Sequence, residues 1–580
     1  GGAGARAPPR APRGSPRGAP GGAQGPGAGE VVKRFVSEPV EVGSFSPVAV
    51  SCYWRSTGAV RGSFTCESEE VRSGKTTPLW FPATADGEWA RVTFFVRTCA
   101  GATSATVRVG VPEGIEAEMA DFEVEAVSEE AFGVAWAEWR GRYPVREWGA
   151  RPGDGANLAL FVEKLRNEEG SEEPLLVYGI GSSYTNMLGN GERLVQWVRE
   201  HFPNAPPVVY KKHVGSAVNY DFTRGWMRQL VLGERPDLVI LYSGGEAEDL
   251  ETLLADFRAH STADVIVASL HLRERDVEIT EETVNAPEWD AVREVALKYG
   301  CEWVDNRREW AAYLEEQGKP IEWLLKDAVH QTDHGALVIN ENIVRHVREN
   351  DEPGYETAER ERFLSMDGTG GREGEGIEKG DAGEIRVRFR GNRLDVVGRS
   401  RQGGGVVTVE VDGVSGEEVD AFLTTLIVPG AENHRPERGS TADRAPHLVG
   451  VGEDVVPQEW TIRMTSDGGD YELEGSETGL DGEGNNGEDF VSESGQVEIP
   501  TALWRRRLEA DGTHSNRTGD TFTWEVYRSA VGEVSFEGDE GGVVEAVVVE
   551  NLEKGWHEVV LRVEGAVEVL GVRVFEPGGW

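Results

Sequence analysis

The sequence predicts a multidomain chain. A central α/β/α three-layer unit with a parallel sheet is flanked by N-terminal and C-terminal β-sandwich (jelly-roll) domains. Between Leu175 and Val347, continuous apolar runs alternate with stretches of helical spacing. Strands covered on both faces by crossover helices read in that way. On either side the runs are short, alternate apolar with polar residues, and are separated by turn formers, as in two-layer β domains. At 580 residues the chain also exceeds what one core serves.

In chain order, residues 1–30 are nearly all Gly, Ala, Pro and Arg. Such a composition buries too little apolar area to offset ordering, so a disordered or extended arm is expected. Arg6, Arg10, Arg13 and Arg17 make that arm basic beside an acidic body. From 31 to 127, runs such as ARVTFFVRT (Ala90 to Thr98) and SATVRVGVP (Ser104 to Pro112) predict a β-sandwich. Trp54 and Trp80 are its candidates for stacking on sugar rings, with core packing as the plainer reading. Residues 128–172, with Trp136, Trp139 and Trp148, read as a connector packing the sandwich against the next unit.

The unit at 173–350 carries the runs LLVY from Leu175, VVY from Val208, LVILY at Leu238 to Tyr242 and VIVASL at Val265 to Leu270. Leu250, Leu253, Leu254 and Phe257 at i, i+3, i+4, i+7 give one of the helices between them. A site is expected outside the carboxyl ends of these strands. Residues 351–380 read as a polar linker, and 381–580 as a second sandwich with a long insertion at about 415–519. The acidic run DGEGNNGED, from Asp481, offers oxygen ligands to Ca²⁺ but lacks the EF-hand positions, so a solvated loop is favoured.

The formal net charge of −43 opposes a phosphate backbone, so no nucleic-acid partner is expected. No apolar run reaches membrane-span length. Cys52, Cys66, Cys99 and Cys301 show no C-x-x-C spacing, and neither a metal nor another cofactor is called for. One disulfide among the first three and buried free thiols are both open.

The chemistry concentrates in GIGSSYTNMLGNGE, Gly179 to Glu192, between an apolar strand and a helix. A glycine-serine turn there can expose a hydroxyl beside outward-pointing backbone N–H groups, which suits acyl transfer and singles out Ser183. A serine needs a base and a group to orient it. KDAVHQTDHG, Lys326 to Gly335, supplies Asp327 and His330 as D-x-x-H just before the last helix of the unit.

With these residues in place, the region resembles the SGNH (GDSL-type) hydrolases, Gly181, Ser182, Ser183, Tyr184 and Thr185 standing where the family has G-D-S-x-T. The flanking segments resemble galactose-binding-like sandwiches that accompany carbohydrate enzymes. The resemblance implies a flavodoxin-like three-layer core and a secreted, cell-surface or periplasmic serine esterase. Its substrate would be an acylated polysaccharide or small ester, losing acetyl or other acyl groups. Catalysis would fall to Ser183, His330 and Asp327, with an oxyanion hole from Ser183 and Gly215. Two positions depart from the pattern: Ser182 replaces the family's Asp, and Glu246 stands near the Asn that donates to the oxyanion, although a carboxylate has no proton to give. Either another amide substitutes, with Asn186, Asn190 and Asn219 as the candidates, or the hole has two donors. Tyr184, Glu246 and His334 are candidate substrate contacts, and His213 and His271 lie near strand ends. Two other readings stay open: a non-catalytic structural or carbohydrate-binding protein, self-associating through the arm or the sandwiches, and a sugar O-acyltransferase.

Overall fold

The computed structural model describes residues 31–68, 75–85, 88–144, 146, 148–168, 170–214, 227–427, 446, 449–452, 455–501, 504, 517–536 and 542–578. The N-terminal arm and most of the polar loop 432–447 lie outside them.

Two antiparallel sheets share one core at the start of the chain. Val31–Val36, Ala102–Pro112, Val60–Ser68 and Thr76–Phe81 lie side by side in that order, while Pro47–Ser56 runs between Ala90–Arg97 and Ala117–Ala126. Alternation sets the faces: Val60, Gly62, Phe64 and Cys66 point inward and Arg61 and Glu67 outward. Val48, Val50, Trp54, Phe64, Phe81 and Val107 fill the space between the sheets. All four cysteines of the chain are buried thiols, and those of Cys66 and Cys99 contact each other.

The connector opens with a helix. Ser128 accepts from the Ala131 N–H to start the helix Glu129–Arg140. Arg97 grips Glu129 with two hydrogen bonds of 2.7 and 2.6 Å, fixing helix to sandwich.

Numbering the α/β unit from its own start, the strands are β1 (Leu175–Gly181), β2 (Val208–Val214), β3 (Leu238–Tyr242), β4 (Asp264–Ala268) and β5 (Glu302–Val304). They form one sheet, all parallel, in the order β2-β1-β3-β4-β5. β3 and β4 are buried at every residue, as their unbroken apolar runs require. The main helices are α1 (Ser183–Asn186), α2 (Glu192–His201), α3 (Ala247–His260), α4 (Pro287–Lys298), α5 (Asn306–Gln317) and α6 (Asp333–Arg345). Along α3, Leu250, Leu253, Leu254 and Phe257 are the buried stripe, each contributing about 2 kcal/mol by burial. Because the first strand lies between the second and third, the strand order reverses at β1. Its neighbours end level with it: Gly181 pairs with Val214 on one side and Tyr242 on the other. A crevice at such a reversal is where α/β sheets place ligands.

The rest of the chain departs from expectation in three places. The stretch 351–380 is not only linker: Glu361–Ser365 pairs with the final strand and Gly376–Lys379 with Glu384–Gly391. The final strand, Gly555–Phe575, runs against Arg393–Val411, with a register shift between Ser400 and Gly405. The expected insertion contributes to a sheet in the order Ala421–Ile427, Thr521–Arg528, Gln458–Met464, Asp470–Gly475, Gly479–Asn485. Trp460, Leu473, Phe522 and Trp524 of this sheet join the core of the α/β unit. The acidic run is not a solvated loop at its start: Asp481 lies in the strand Gly479–Asn485, is 3% exposed, and accepts from the Ser494 N–H and hydroxyl.

Candidate active site

The turn that follows β1 depends on close approach. A Cβ at Gly179 would collide with the Tyr210 hydroxyl, and one at Gly181 with the Thr185 hydroxyl and the Tyr242 carbonyl. Only glycine lets the strand run this near its neighbours before the chain turns into α1. Ser182 and Ser183 then part company. Ser182 is fully buried and its hydroxyl has no hydrogen-bond partner among the described residues. Ser183, half-buried at the start of α1, faces the D-x-x-H loop, and its Oγ lies 2.9 Å from His330 Nε2.

Asp327 holds the other face of the imidazole, with Oδ2 2.8 Å and Oδ1 3.0 Å from His330 Nδ1. Its Oδ1 also accepts from the backbone N–H groups of Val329 and His330, at 3.0 and 2.8 Å. Burial acts to raise the pKa of this carboxyl, but those N–H groups and the imidazole outweigh it and hold the group below its usual range. Asp327 is therefore a carboxylate at neutral pH, His330 Nδ1 carries the proton facing it, and Nε2 is left as the acceptor for the Ser183 hydroxyl.

Several contacts brace this trio. The Thr185 hydroxyl donates to the Tyr242 carbonyl over 2.7 Å, tying α1 to the end of β3. Gln331, buried, donates from Nε2 to the Tyr184 carbonyl over 2.9 Å, tying the His330 loop to α1. Lys212, at the end of β2, donates to the carbonyls of Gly189 and Asn186, at 2.7 and 3.3 Å. Burial pushes its ammonium down to about 8. Neither Gln331 nor Lys212 was singled out from the sequence. Gln331 has no pattern of its own beyond following His330, and Lys212 is a lysine within a strand, a placement rare enough to have drawn attention.

The remaining candidates separate clearly. Gly215 and Asn219 fall within 215–226, outside the described residues, although Val214 brings the chain alongside Gly181 just before them. Asn190 does not face the serine: its amide donates to the Arg97 carbonyl over 3.1 Å and reaches the Thr77 hydroxyl at 3.4 Å. That amide holds the sandwich to the turn that carries Ser183. The Asn186 amide makes no hydrogen bond among the described residues, and its Oδ1 is buried. Glu246 is exposed and precedes α3, with no side-chain capping bond.

Tyr184 is 3% exposed and lies against the His330 ring, centroids 5.5 Å apart, as a packing partner with little surface to offer a substrate. His334 is corrected outright. It is buried, stacked on Tyr143 at 4.5 Å, edged by Trp323 at 4.8 Å, and 2.8 Å from the Tyr313 hydroxyl. Burial pushes its pKa down to about 4, and its ring is enclosed by these aromatic neighbours. His213 is buried against Tyr178. Trp54 belongs to the sandwich core, whereas Trp80 is 49% exposed beneath Arg61, whose guanidinium lies 5.6 Å from its ring centroid. Burial pushes the Lys326 ammonium down and the Asp333 carboxyl up, and the charge of Arg61 adds to the first shift and opposes the second.

Among the described residues, no group of three or more His, Cys, Asp or Glu side chains is placed to hold a metal ion, and no helix is long and apolar enough to cross a membrane.

No family model and no curated protein matches the sequence. Among solved structures, the chain is similar to a two-domain esterase (CEX) active on acetylated mannans, at 12% identity. That match covers 74% of this chain and 97% of the other, with a TM-score of 0.28. It is similar also to Axe2, an acetylxylan esterase from Geobacillus stearothermophilus, at 17% identity over 32% of this chain and 97% of that one, with a TM-score of 0.25. A third is LAE5, an alpha/beta hydrolase enzyme from the metagenome of Lake Arreo, at 18% identity over 30% and 94%, with a TM-score of 0.26.

Proposed function

We propose that the chain is a serine esterase that removes acetyl or other acyl groups from an acylated polysaccharide outside the cytoplasm. The observation that carries the reading is the unbroken line from Ser183 Oγ through His330 to the Asp327 carboxylate, with contacts of 2.9 and 2.8 Å.

In the proposed reaction, His330 Nε2 takes the Ser183 proton as Oγ attacks the ester carbonyl, and Asp327 stabilises the imidazolium that results. The oxyanion forms beside the N–H of Ser183, at the first turn of α1 where no intrahelical acceptor exists, and a donor from the loop after β2 completes its site. Gly215 is the residue we assign to that donor. Collapse breaks the bond from the carbonyl carbon to the sugar oxygen, which takes the proton from His330 and leaves as a hydroxyl, and an acyl-serine remains. Water, activated by the same imidazole, then releases the acid and restores Ser183. The exposed Trp80, half a sandwich strand from Thr77 and its contact with Asn190, is the surface on which a pyranose would stack.

The test is hydrolysis of p-nitrophenyl acetate by the wild type and by Ser183→Ala. Turnover is expected in the first and not in the second, with unchanged thermal unfolding. Equal turnover in both would remove the assignment.

A further inference from the structure

His330 must sit at one height above the sheet for its Nε2 to meet Ser183 Oγ, yet the loop that carries it is a surface turn in which Asp327 is half exposed. What sets that height lies underneath. His271, three residues beyond the end of β4, is wholly buried, with Nδ1 2.6 Å from the Tyr242 hydroxyl and Nε2 3.0 Å from the Val329 carbonyl. Val329 is the residue next to His330, and its own N–H donates to Asp327 Oδ1. At the other end, Tyr242 accepts from Thr185 through its backbone carbonyl. A buried chain of hydrogen bonds thus runs from the serine turn to the histidine loop: Thr185 to Tyr242, Tyr242 to His271, His271 to Val329. The neighbouring carbonyl, Ala328, accepts from the Glu274 N–H over 3.0 Å, so the segment after β4 supports two consecutive peptides of the loop.

We infer that His271 is a positioning residue for the esterase chemistry, a neutral imidazole that locks the Asp327–His330 loop to the strand end beside Ser183. The inference rests on the esterase reading. Only one tautomer satisfies the geometry. A carbonyl can only accept, so Nε2 carries the hydrogen and donates to Val329; Nδ1 is then a lone pair, and the Tyr242 hydroxyl donates to it. Protonation would pit Nδ1–H against the Tyr242 hydroxyl hydrogen, which has no other acceptor among the described residues. Burial, with Arg273 adding to it, pushes the pKa of His271 down to about 3 against the pull of the Val329 carbonyl, so the imidazole stays neutral wherever the enzyme works. His271 touches neither Ser183 nor any reacting atom. Its effect passes through the backbone of Val329, where a displacement of about 1 Å costs on the order of a hundredfold in rate.

The test compares wild type, His271→Leu, His271→Gln and Tyr242→Phe, with kcat and KM on p-nitrophenyl acetate and the rate at which a fluorophosphonate labels Ser183. His271→Leu is expected to lower kcat and the labelling rate together by about a hundredfold, with KM within about twofold. His271→Gln, whose amide can still donate to Val329, is expected to recover at least about a tenfold part of that loss. If His271→Leu does not fold, Tyr242→Phe decides: it leaves the imidazole free to change tautomer, and kcat is expected to fall about tenfold. A folded His271→Leu or Tyr242→Phe with kcat within about threefold of wild type, or an equal loss in His271→Gln and His271→Leu, would overturn the role. Absence of turnover and labelling in the wild type would instead bring down the esterase reading, and the positioning role with it.

Discussion

Ser183 and His330 are 147 residues apart in the chain, and their side chains meet at 2.9 Å. Parallel topology makes this contact: β1 delivers the serine and the end of the unit delivers the histidine to the same carboxyl edge, at the strand where the order reverses.

Asp327→Asn tests the orienting carboxylate. An amide can present its NH₂ to Nδ1 and stabilise the wrong tautomer, which turns the hydrogen of Nε2 toward Ser183 and blocks its role as base. A loss in kcat on the order of a thousandfold is expected, with KM little changed. Steady-state kinetics on p-nitrophenyl acetate measure it; a loss below about tenfold would mean that the carboxylate is dispensable.

Asn190 separates two uses of one amide. If it holds the sandwich to the turn, as its bond to the Arg97 carbonyl indicates, Asn190→Ala should destabilise the protein by about 1–3 kcal/mol. The effect on kcat should then stay below about tenfold. An oxyanion donor would behave otherwise, costing about a hundredfold or more in kcat. Denaturant unfolding and kinetics on the same variant distinguish the two.

His334 makes stability depend on acid. Its pKa is about 4 in the folded protein against 6.5 as an ordinary histidine, so between those values the unfolded chain takes up a proton that the native one refuses. Stability contributed by this site is fully present above pH 6.5 and is lost as pH falls toward 4. His334→Phe keeps the aromatic packing without the titration. The drop in unfolding temperature from pH 7 to pH 4.5 should be smaller in this variant than in wild type, and an equal drop would refute the account.

How much of this was legible in the sequence follows from which signals are local. The parallel sheet was visible because β3 and β4 are apolar at almost every position, and Ser183, Asp327 and His330 because short motifs mark them. The strands Gln458–Met464, Asp470–Gly475 and Gly479–Asn485 were hidden, because they lie in or beside a Gly- and acid-rich stretch that reads as loop. His334 and Tyr184 looked like substrate contacts because adjacency to a motif says nothing about which way a side chain points. Asn190 was misplaced for a related reason: its partner, Arg97, is 93 residues away in another sheet. His271 stood at a strand end in plain view, but its role depends on Tyr242 and Val329, which no spacing rule connects.

Trp80 tests the substrate class. Trp80→Ala should raise KM for an acetylated polysaccharide about tenfold while leaving p-nitrophenyl acetate turnover within about twofold, since stacking on a ring contributes on the order of 1 kcal/mol or more and a small ester has no ring to stack. Acetate release from the polymer measures the first quantity. Equal effects on both substrates would remove Trp80 from the binding surface.

The most direct measurement is the intact mass of the protein after exposure to a fluorophosphonate, followed by peptide mapping. The account predicts a single adduct on Ser183 in the wild type, greatly slowed labelling in His330→Ala, and none in Ser183→Ala. Labelling that persists in Ser183→Ala, or a wild type that takes up no adduct at Ser183, would contradict it.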